Sequence, residues 1–444
     1  MENPLSTLRI NWRHFTSGIR KSRQKLKLYV NKQRSLGPKL SRGAEELGIN
    51  TASSDSDANC DFKIQPDFKR FNQKDEVFCR SWWDKTIRTK KSEHFYTSYR
   101  NPLSAQWQGR GPGFSQRDFA LRNASWHITD IFAELKGGED RREGFLDELS
   151  VLRDGPADKV AFDSEEEASR NIKHVAEKFG ADMAGITTYD ERWTYSKKYS
   201  CATGLEKENK MEDDIHRTIV LIHSMDKDLL QTVPSALSGT ATGLGYAKDL
   251  FVLLSLSQYL RNLGYKAVPS MNDTAISIPY AIKAGLGELG RHGLLITPKY
   301  GPRVRIGKIF TNLPMTTDKP IRFGVKDFCN ICSLCVKACP AKAIFEGEPA
   351  KKKVTASTMQ GVEKWAINPE KCFKYWTTIN TDCSVCIRVC PYNRGSKWHD
   401  VIWRYLAGTF LRNKMLDLDV WMKRGKKLRP KDWWAGAFGH QNNT

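Results

Sequence analysis

Hydrophobic and polar residues follow a helical period in residues 163–180, where the chain turns from irregular to regular patterning. Ser164 precedes three acidic residues, apolar residues then recur at intervals of three and four, and Gly180 follows the last of them. A serine before an acidic first turn and a glycine after the last apolar position are typical helix boundaries. The pattern therefore predicts an amphipathic helix over this stretch.

Residues 181–313 continue with alternating strand and helix patterns. Strands are predicted at 181–189, 217–225 and 266–270, and helices at 243–263 and 275–287. The runs GLLITP from Gly293 and RVRIGKIFTNL from Arg303 predict two strands paired around the turn KYGP. This alternation predicts an α/β (α+β) domain at residues 163–321.

The net positive charge of the chain is compatible with several kinds of partner and does not select one. The 444 residues are 40% hydrophobic, which predicts folded domains with a large core, and the formal net charge is +21. Positive charge concentrates in residues 1–50, with 11 Lys/Arg against three Glu, and in Lys423–Lys431. A solvated surface, an anionic membrane face, an acidic electron-carrier protein and RNA all fit such charge.

The sequence shows neither a transmembrane span nor an export signal. The most apolar helical stretch, LFVLLSLSQYL from Leu250, is short and is interrupted by Ser and Gln. As written, the chain is expected to be cytoplasmic. The alternative is the mature form of an exported, membrane-associated protein.

Eight of the 11 cysteines fall in two runs. The first run is Cys329-x2-Cys332-x2-Cys335-x3-Cys339-Pro, and the second is Cys372-x10-Cys383-x2-Cys386-x3-Cys390-Pro. This is the bacterial [4Fe–4S] spacing, in which the fourth cysteine of a run ligates the other cluster. The predicted ligand sets are Cys329, Cys332, Cys335 and Cys390 for one cluster, and Cys339, Cys372, Cys383 and Cys386 for the other. Disulfides would be strained in such runs, and zinc sites favour CxxC pairs without the CxxxCP ending.

The clusters predict how the chain is divided. Residues 322–400 are expected to form a ferredoxin-like domain with two [4Fe–4S] clusters. Residues 1–162 are expected to be an aromatic-rich basic region that contributes to a substrate pocket. Residues 401–444 are expected to be a basic, Trp-containing C-terminal tail.

In their order, these features resemble the corrinoid- and iron–sulfur-dependent reductive dehalogenase family, which is related to the epoxyqueuosine reductases. Besides the first cysteine run, the similar segments are RDFALRNASW from Arg117, AGLGELGRHGLLITPKYGPRVRIGKIFTNLP from Ala284, CFKYWTTINTDCSVCIRVCPYN from Cys372 and DWW from Asp432. The resemblance covers roughly residues 110–436. It implies a nitroreductase-like core that holds cobalamin or a related corrinoid in the base-off form. The chain has no Asp-x-His-x-x-Gly segment, so no protein ligand to cobalt is expected.

The resemblance also implies the site residues. Tyr246 is expected to donate a proton to the carbon that loses halide, and Arg305 and Asn272 are expected to hold and tune it. Because a guanidinium favours phenolate, the pKa of Tyr246 is expected below its usual value near ~10. Trp376 is expected in the substrate pocket. The implied corrinoid contacts are Thr242, Met271, Gly287, Gly290, Arg291, Gly293 and Arg303.

The expected function is reductive dehalogenation of a small organohalide, with electrons from a separate donor protein such as a ferredoxin, a flavodoxin or a membrane-linked donor. An anionic membrane surface or a small membrane anchor protein is a further expected partner. Two alternatives stay open, namely an epoxyqueuosine reductase-like enzyme acting on tRNA and a non-catalytic iron–sulfur electron carrier. Residues 287–292 read GELGRH, where epoxyqueuosine reductases typically read Gly-Trp-x-Gly-Lys-Asn, so nucleic acid is not expected as a partner.

Overall fold

The computed structural model describes residues 50–51, 60, 62–100, 111–135, 152–201, 203–351, 353–395 and 397–436. The basic segment 1–49 lies outside the described residues, as does part of the aromatic-rich region that was expected to reach the substrate. The strands are β1 (Asn50–Thr51), β2 (Lys63–Ile64), β3 (Met183–Thr188), β4 (Lys197–Tyr199), β5 (Glu206–Glu208), β6 (Arg217–Ser224), β7 (Ala267–Ser270), β8 (Glu288–Leu289), β9 (Leu295–Ile296), β10 (Val304–Thr311), β11 (Ile321–Arg322) and β12 (Val362–Glu363).

Helices make up most of the remaining regular structure. They are α1 (Val77–Trp83), α2 (Lys90–Arg100), α3 (Gln116–Leu135), α4 (Glu165–Phe179), α5 (Lys227–Gln231), α6 (Ala236–Asn262), α7 (Ser277–Lys283), α8 (Val325–Ile331), α9 (Leu334–Ala338), α10 (Pro369–Ile379), α11 (Val385–Arg388), α12 (Trp398–Ala407), α13 (Arg412–Trp421) and α14 (Pro430–Trp434). Two short 3₁₀ helices lie at Gln73–Asp75 and Glu191–Trp193. None of the helices in the described ranges combines the length and the hydropathy that a membrane crossing requires.

The helix expected from the first hydrophobic pattern forms as α4. The Ser164 hydroxyl accepts a hydrogen bond from the backbone N–H of Glu167, and Gly180 ends the helix in the left-handed conformation. The long apolar helix α6 begins at Ala236, seven residues before its predicted start. Its first two turns are rich in small and polar residues, so the hydrophobic pattern did not include them.

A four-stranded sheet in the order β3-β6-β10-β7 forms the centre of the fold. All its pairs are antiparallel, so helices and strands combine in the α+β manner. The predicted pairing of GLLITP with RVRIGKIFTNL is wrong. Strand β9 pairs with β8 instead, and β10 lies between β6 and β7. Strand β10 pairs with β6 along all eight of its residues and with β7 along its last four, so more of its backbone groups are hydrogen-bonded than a short hairpin with β9 would allow.

Side chains from the two faces of the sheet enter different cores. One core contains Ile219, Leu221 and Ile309 together with apolar residues of α4 and α6. The other contains Val220 and Phe310 together with residues of α7. Strand β10 therefore has one face toward α6, and this face carries the candidate site.

Residues after 400 are largely folded in α12, α13 and α14. Trp434 donates a hydrogen bond from Nε1 to Asp118 Oδ1 at 2.8 Å, and the guanidinium of Arg117 lies 3.7 Å from the centre of the Trp434 ring. The segments RDF and DWW, which are far apart in sequence, are therefore in contact.

Candidate active site and cluster-binding region

Tyr246 lies on α6 at a close approach between this helix and strand β10. A Cβ at Gly245 would lie 2.7 Å from Arg305 Cγ, and a Cβ at Gly243 would lie 2.7 Å from Trp126 Cδ1. Glycine at both positions therefore lets Arg305 and Trp126 reach the helix on either side of Tyr246. The centres of the Trp126 and Tyr246 rings are 5.0 Å apart. Trp126 was within a segment singled out by resemblance, but no role had been predicted for it.

The three residues predicted as the catalytic group are together in space. Asn272 donates a hydrogen bond from Nδ2 to the phenol oxygen of Tyr246, and Arg305 donates one to the same oxygen. The guanidinium carbon of Arg305 lies 3.9 Å from the centre of the phenol ring. Both donors stabilise negative charge on the oxygen, so they favour the state that remains after the tyrosine has given up its proton.

The expected fall in the pKa of Tyr246 does not occur. Burial raises its pKa above the usual value near 10, and the opposing effects of Arg305 and Asn272 are smaller. Asp249 and Asp382 raise it further. The sequence argument counted the guanidinium but not the loss of water around a side chain that is only 7% exposed. Tyr246 is therefore a neutral phenol at pH 7 and holds the proton that a general acid needs.

A buried acid–base pair that the sequence analysis missed lies beside this group. Asp249 follows Tyr246 by almost one helical turn, and its Oδ1 is 3.1 Å from Nε2 of His223. His223 is directly opposite Arg305 in the register of β6 and β10. Tyr246 and Asp249 of the helix thus lie against Arg305 and His223 of the sheet.

Three of the residues expected near the corrinoid or the substrate lie close to Tyr246. Thr242 is half-buried and lies one turn before Tyr246 on α6. Met271 is buried in the same core and directly precedes Asn272. Trp376, on α10, packs against this core, with its ring 5.6 Å from that of Phe78. These placements bring the three residues to the region of Tyr246.

The predicted glycine contacts have another explanation in the structure. A Cβ at Gly287 would lie 2.3 Å from the carbonyl oxygen of Ile296, and a Cβ at Gly293 would lie 2.1 Å from Ile367 Cδ1. At Gly290 the nearest atom, 2.7 Å away, belongs to His292. Close packing of the chain on itself therefore accounts for these glycines.

The two arginines predicted to contact a corrinoid donate hydrogen bonds to backbone carbonyl oxygens of the protein. Arg291 donates hydrogen bonds to the carbonyl oxygens of Cys329 at 2.9 Å and Gly347 at 2.7 Å. Arg303 donates one to the carbonyl oxygen of Met225 at 3.1 Å. The first of these side chains is thereby held beside a cysteine of the first run.

Four thiols from both cysteine runs line one cavity. They are Cys329, Cys332, Cys335 and Cys390, which we call the first cluster set. His292, Phe328, Pro391 and Tyr392 complete the lining. The structure thus places the last cysteine of the second run with the first three cysteines of the first run, as the predicted crossed ligand set requires.

The remaining four cysteines form the second cluster set, Cys339, Cys372, Cys383 and Cys386. Cys372 interacts electrostatically with Cys383 and Cys339, and Cys386 interacts with all three of the others. Phe373, next to Cys372 on α10, is part of the core that contains Tyr246. Asp382, next to Cys383, acts on the pKa of Tyr246. The second cluster set is therefore the one adjacent to the candidate catalytic group.

The chemistry of both sets fits iron–sulfur clusters. Burial, together with the smaller effect of neighbouring thiols, raises the pKa of Cys335 to about 12, of Cys372 to about 12 and of Cys383 to about 11. Thiolates are stable in such places when metal ions supply positive charge. Within the described ranges, no group of three His, Cys, Asp or Glu side chains could hold a single metal ion. A cubane does not require such a group, because each of its four irons is bound by a different thiolate.

Comparison with protein families agrees with these two regions. Residues 213–315 match the family described as "Reductive dehalogenase subunit". Residues 328–393, which include all eight cysteines of the two sets, match the "4Fe-4S double cluster binding domain". The prediction that this part of the chain binds two [4Fe–4S] clusters is confirmed.

Individual proteins extend the similarity. The chain is 35% identical over 326 residues to the tetrachloroethene reductive dehalogenase of Desulfitobacterium hafniense, a match that covers 65% of this chain and 59% of that protein. It is 33% identical over 132 residues to the epoxyqueuosine reductase of Lactococcus garvieae, covering 29% of this chain and 36% of that protein. The chain therefore spans well under two thirds of the length of either relative.

The fold is shared with a solved structure, the catabolic reductive dehalogenase NpRdhA. The TM-score is 0.65 at 21% identity, and the match covers 86% of this chain and 49% of that chain. The predicted fold of helices around a sheet with a C-terminal cluster-binding region is confirmed. The resemblance to the reductive dehalogenases is likewise confirmed.

Proposed function

From its similarity to the reductive dehalogenases, we propose that this chain replaces a halogen atom of a small organohalide by hydrogen. The reaction consumes two electrons and one proton and releases halide. The observation that supports the proposal most directly is Tyr246, a buried neutral phenol whose oxygen accepts hydrogen bonds from Arg305 and Asn272 beside the second cluster set.

Tyr246 is the proposed proton donor. Within the described part of the chain, the Tyr246 hydroxyl accepts hydrogen bonds but donates none, which leaves its hydrogen available to a substrate. As the proton moves to the substrate carbon, Arg305 and Asn272 hold the phenolate that forms. The ring of Trp126 covers one side of the phenol, which limits access of water.

The residues around Tyr246 fit a large cofactor that bears many polar groups. Thr240 Oγ1, Thr381 Oγ1 and Arg305 Nε are buried and lack hydrogen-bond partners within the described ranges. Buried polar atoms of this kind need a partner such as a ligand. We propose base-off cobalamin or a related corrinoid as this ligand, held with the help of Thr242 and Met271. When bound, it would supply the reduced cobalt that cleaves the carbon–halogen bond.

The two cluster sets give a direction to the electrons. We propose that the first set, Cys329, Cys332, Cys335 and Cys390, holds the outer cluster, and that Cys339, Cys372, Cys383 and Cys386 hold the inner one. A separate donor protein reduces the outer cluster, and the inner cluster delivers electrons near Tyr246. Trp376, on the same helix as Cys372, lies between the second set and the aromatic core, where a substrate pocket is proposed.

The test uses protein purified without oxygen and reconstituted with iron, sulfide and a corrinoid. About eight iron and one cobalt per chain are expected, since two cubanes and one corrinoid contain these numbers. Chemically reduced protein should release halide from chlorinated or brominated compounds. Eight iron with no cobalt and no halide release would support a non-catalytic electron carrier instead.

Tyr246→Phe should keep both metals and lower turnover by about 10²- to 10⁴-fold, the range of a general acid. Tyr265→Phe is the matched control, because this tyrosine is buried in the same core and its hydroxyl bonds only to the carbonyl oxygen of Val160 at 2.8 Å. Unchanged turnover in Tyr246→Phe would remove this residue as the acid. Normal activity on an epoxyqueuosine-containing RNA, without halide release, would favour the related tRNA-modifying enzymes.

A further inference from the structure

Helices α12 and α13 cover the first cluster set. Trp403 of α12 packs edge-on against Phe328 at 5.5 Å and against Tyr392 at 5.7 Å, and both of these residues line the cavity of the first set. Trp403 also donates a hydrogen bond to the carbonyl oxygen of Met415 on α13 at 3.3 Å. Asp419 of α13 acts electrostatically on Cys332. The inner sides of both helices therefore belong to the surroundings of this cluster.

The outer sides of the same helices and the turn between them carry several large, exposed apolar residues. We call this surface the outer aromatic face; its residues are Trp398, Val401, Tyr405, Phe410, Leu418 and Trp421. The exposed fractions are 66% for Trp398, 88% for Phe410 and 78% for Trp421. Residues 398, 401 and 405 share one side of α12, and residues 418 and 421 share one side of α13. A group of exposed large aromatic and aliphatic side chains of this kind is typical of a surface that binds a partner.

Exposed charge around the outer aromatic face is mainly positive. Lys397, Lys414, Lys423 and Lys426 are exposed. Of the acids on the two helices, Asp400 and Asp419 are buried and paired with arginines, which leaves Asp417 exposed. An apolar centre with a basic rim is complementary to a partner with an apolar centre and an acidic rim.

We propose that the outer aromatic face docks an acidic electron-carrier protein that reduces the first cluster. In each encounter the carrier loses one electron and the first cluster gains it, and no bond is formed. An anionic lipid surface would also accept exposed aromatic and lysine side chains, but lipid supplies no electron, and the face lies over a cluster. This inference rests on the proposed function, because it assigns the donor of the same electron route.

The test measures how fast a chemically reduced, acidic ferredoxin reduces the clusters of the reconstituted protein. The double variant Phe410→Glu/Trp421→Glu should lower the second-order rate constant by about tenfold or more, since it removes apolar contact and adds repulsion. Lys414→Glu should lower the rate and weaken its dependence on salt. Leu205→Glu is the matched control, because Leu205 is 60% exposed but lies outside these helices. Reduction by dithionite should be the same in all variants.

Three outcomes would overturn the proposal. One is an unchanged rate of reduction by the ferredoxin in both variants. The second is a double variant that no longer binds vesicles of phosphatidylglycerol, unlike the unmodified protein, but is reduced by the ferredoxin at the normal rate. This outcome would make the face a lipid-binding surface. The third is an unmodified protein that is a dimer and a double variant that is a monomer, while the rate of reduction by the ferredoxin stays normal. This outcome would make the face a contact between two copies of the chain. Failure of the unmodified protein to release halide with dithionite would instead refute the proposed dehalogenation, and the ferredoxin rates would still test the docking surface.

Discussion

The two cluster sets are built from almost the same sequence motif but lie in different surroundings. The first set is enclosed by α12 and α13 and has the guanidinium of Arg291 beside it. The second set includes Cys372 of α10, and the neighbouring Phe373 packs in the core of Tyr246. The spacing of the cysteines therefore explains which cofactor is bound. The elements packed around each set differ, and the second set is the one adjacent to the candidate catalytic group.

The largest expected effect comes from removing one cysteine from each set. Cys335→Ala and Cys383→Ala should each lose about four of about eight iron per chain, since each set holds one cubane. With a chemical reductant, Cys335→Ala should keep measurable halide release through the second cluster, whereas Cys383→Ala should release about 10³-fold less than the unmodified protein. Iron analysis and halide assays measure both.

Cys201→Ala is the control, because Cys201 lies outside both runs. Its iron content should not change. Loss of both clusters in Cys335→Ala, with the fold intact, would contradict the crossed ligand sets. Equal residual halide release in the two cluster variants would contradict the assignment of an outer and an inner cluster.

A smaller effect is expected from the charges next to each set. Arg291 favours negative charge on Cys332 and Cys335, and Arg388 does so on Cys383. Arg291→Gln should therefore lower the reduction potential of the first cluster alone, and Arg388→Gln that of the second alone. A shift of roughly 30 to 60 mV is expected, because 59 mV is a tenfold change for one electron. Redox titration followed by electron paramagnetic resonance separates the clusters, and a shift of both in either variant would contradict the comparison.

Local patterns predicted the elements whose determinants are close together in sequence. Helix α4 has its cap at Ser164 and its stop at Gly180, and the spacing of the cysteines contains the information for the clusters. The pairing of β10 with β6 and β7 was missed because strand pairing joins distant segments. Trp126 was missed as a neighbour of Tyr246 because its position depends on the packing of α3 against Gly243.

The catalytic group shows the same limit. Resemblance indicated Tyr246, Asn272 and Arg305, and the structure places them in contact. It did not indicate His223 and Asp249, because their pairing depends on the register of β6 and on the packing of α6. Nor did it give the correct direction for the pKa of Tyr246, since the effect of burial is a property of the folded chain. Residues 401–444 were expected to be a tail, but most of them form helices, and their packing on the first cluster set depends on contacts with residues far away in sequence.

The smallest expected effect concerns the pH dependence of the inner site. Four groups act on the pKa of Tyr246 besides burial: Arg305 on the sheet, Asn272 after β7, Asp249 on the same helix, and Asp382 beside the second set. His223 lies next to Asp249. The negative charge of Asp249 disfavours phenolate and so raises the pKa of Tyr246. In Asp249→Asn the phenol should ionise at lower pH. Because the acid must be protonated to act, the alkaline limb of the turnover profile should move to lower pH.

Asp190→Asn is the matched control for this change. Asp190 is likewise an acid with a basic partner, Lys283 at 2.6 Å, but it is not among the groups that act on Tyr246. Asp190→Asn should keep the alkaline limb of the unmodified protein. The rate at which the first cluster is reduced should be unchanged in both variants. An unchanged limb in Asp249→Asn, or an equal shift in Asp190→Asn, would show that Asp249 does not set the charge around Tyr246. The expected pattern would instead separate the proton supply of the inner site from the electron supply at the outer one.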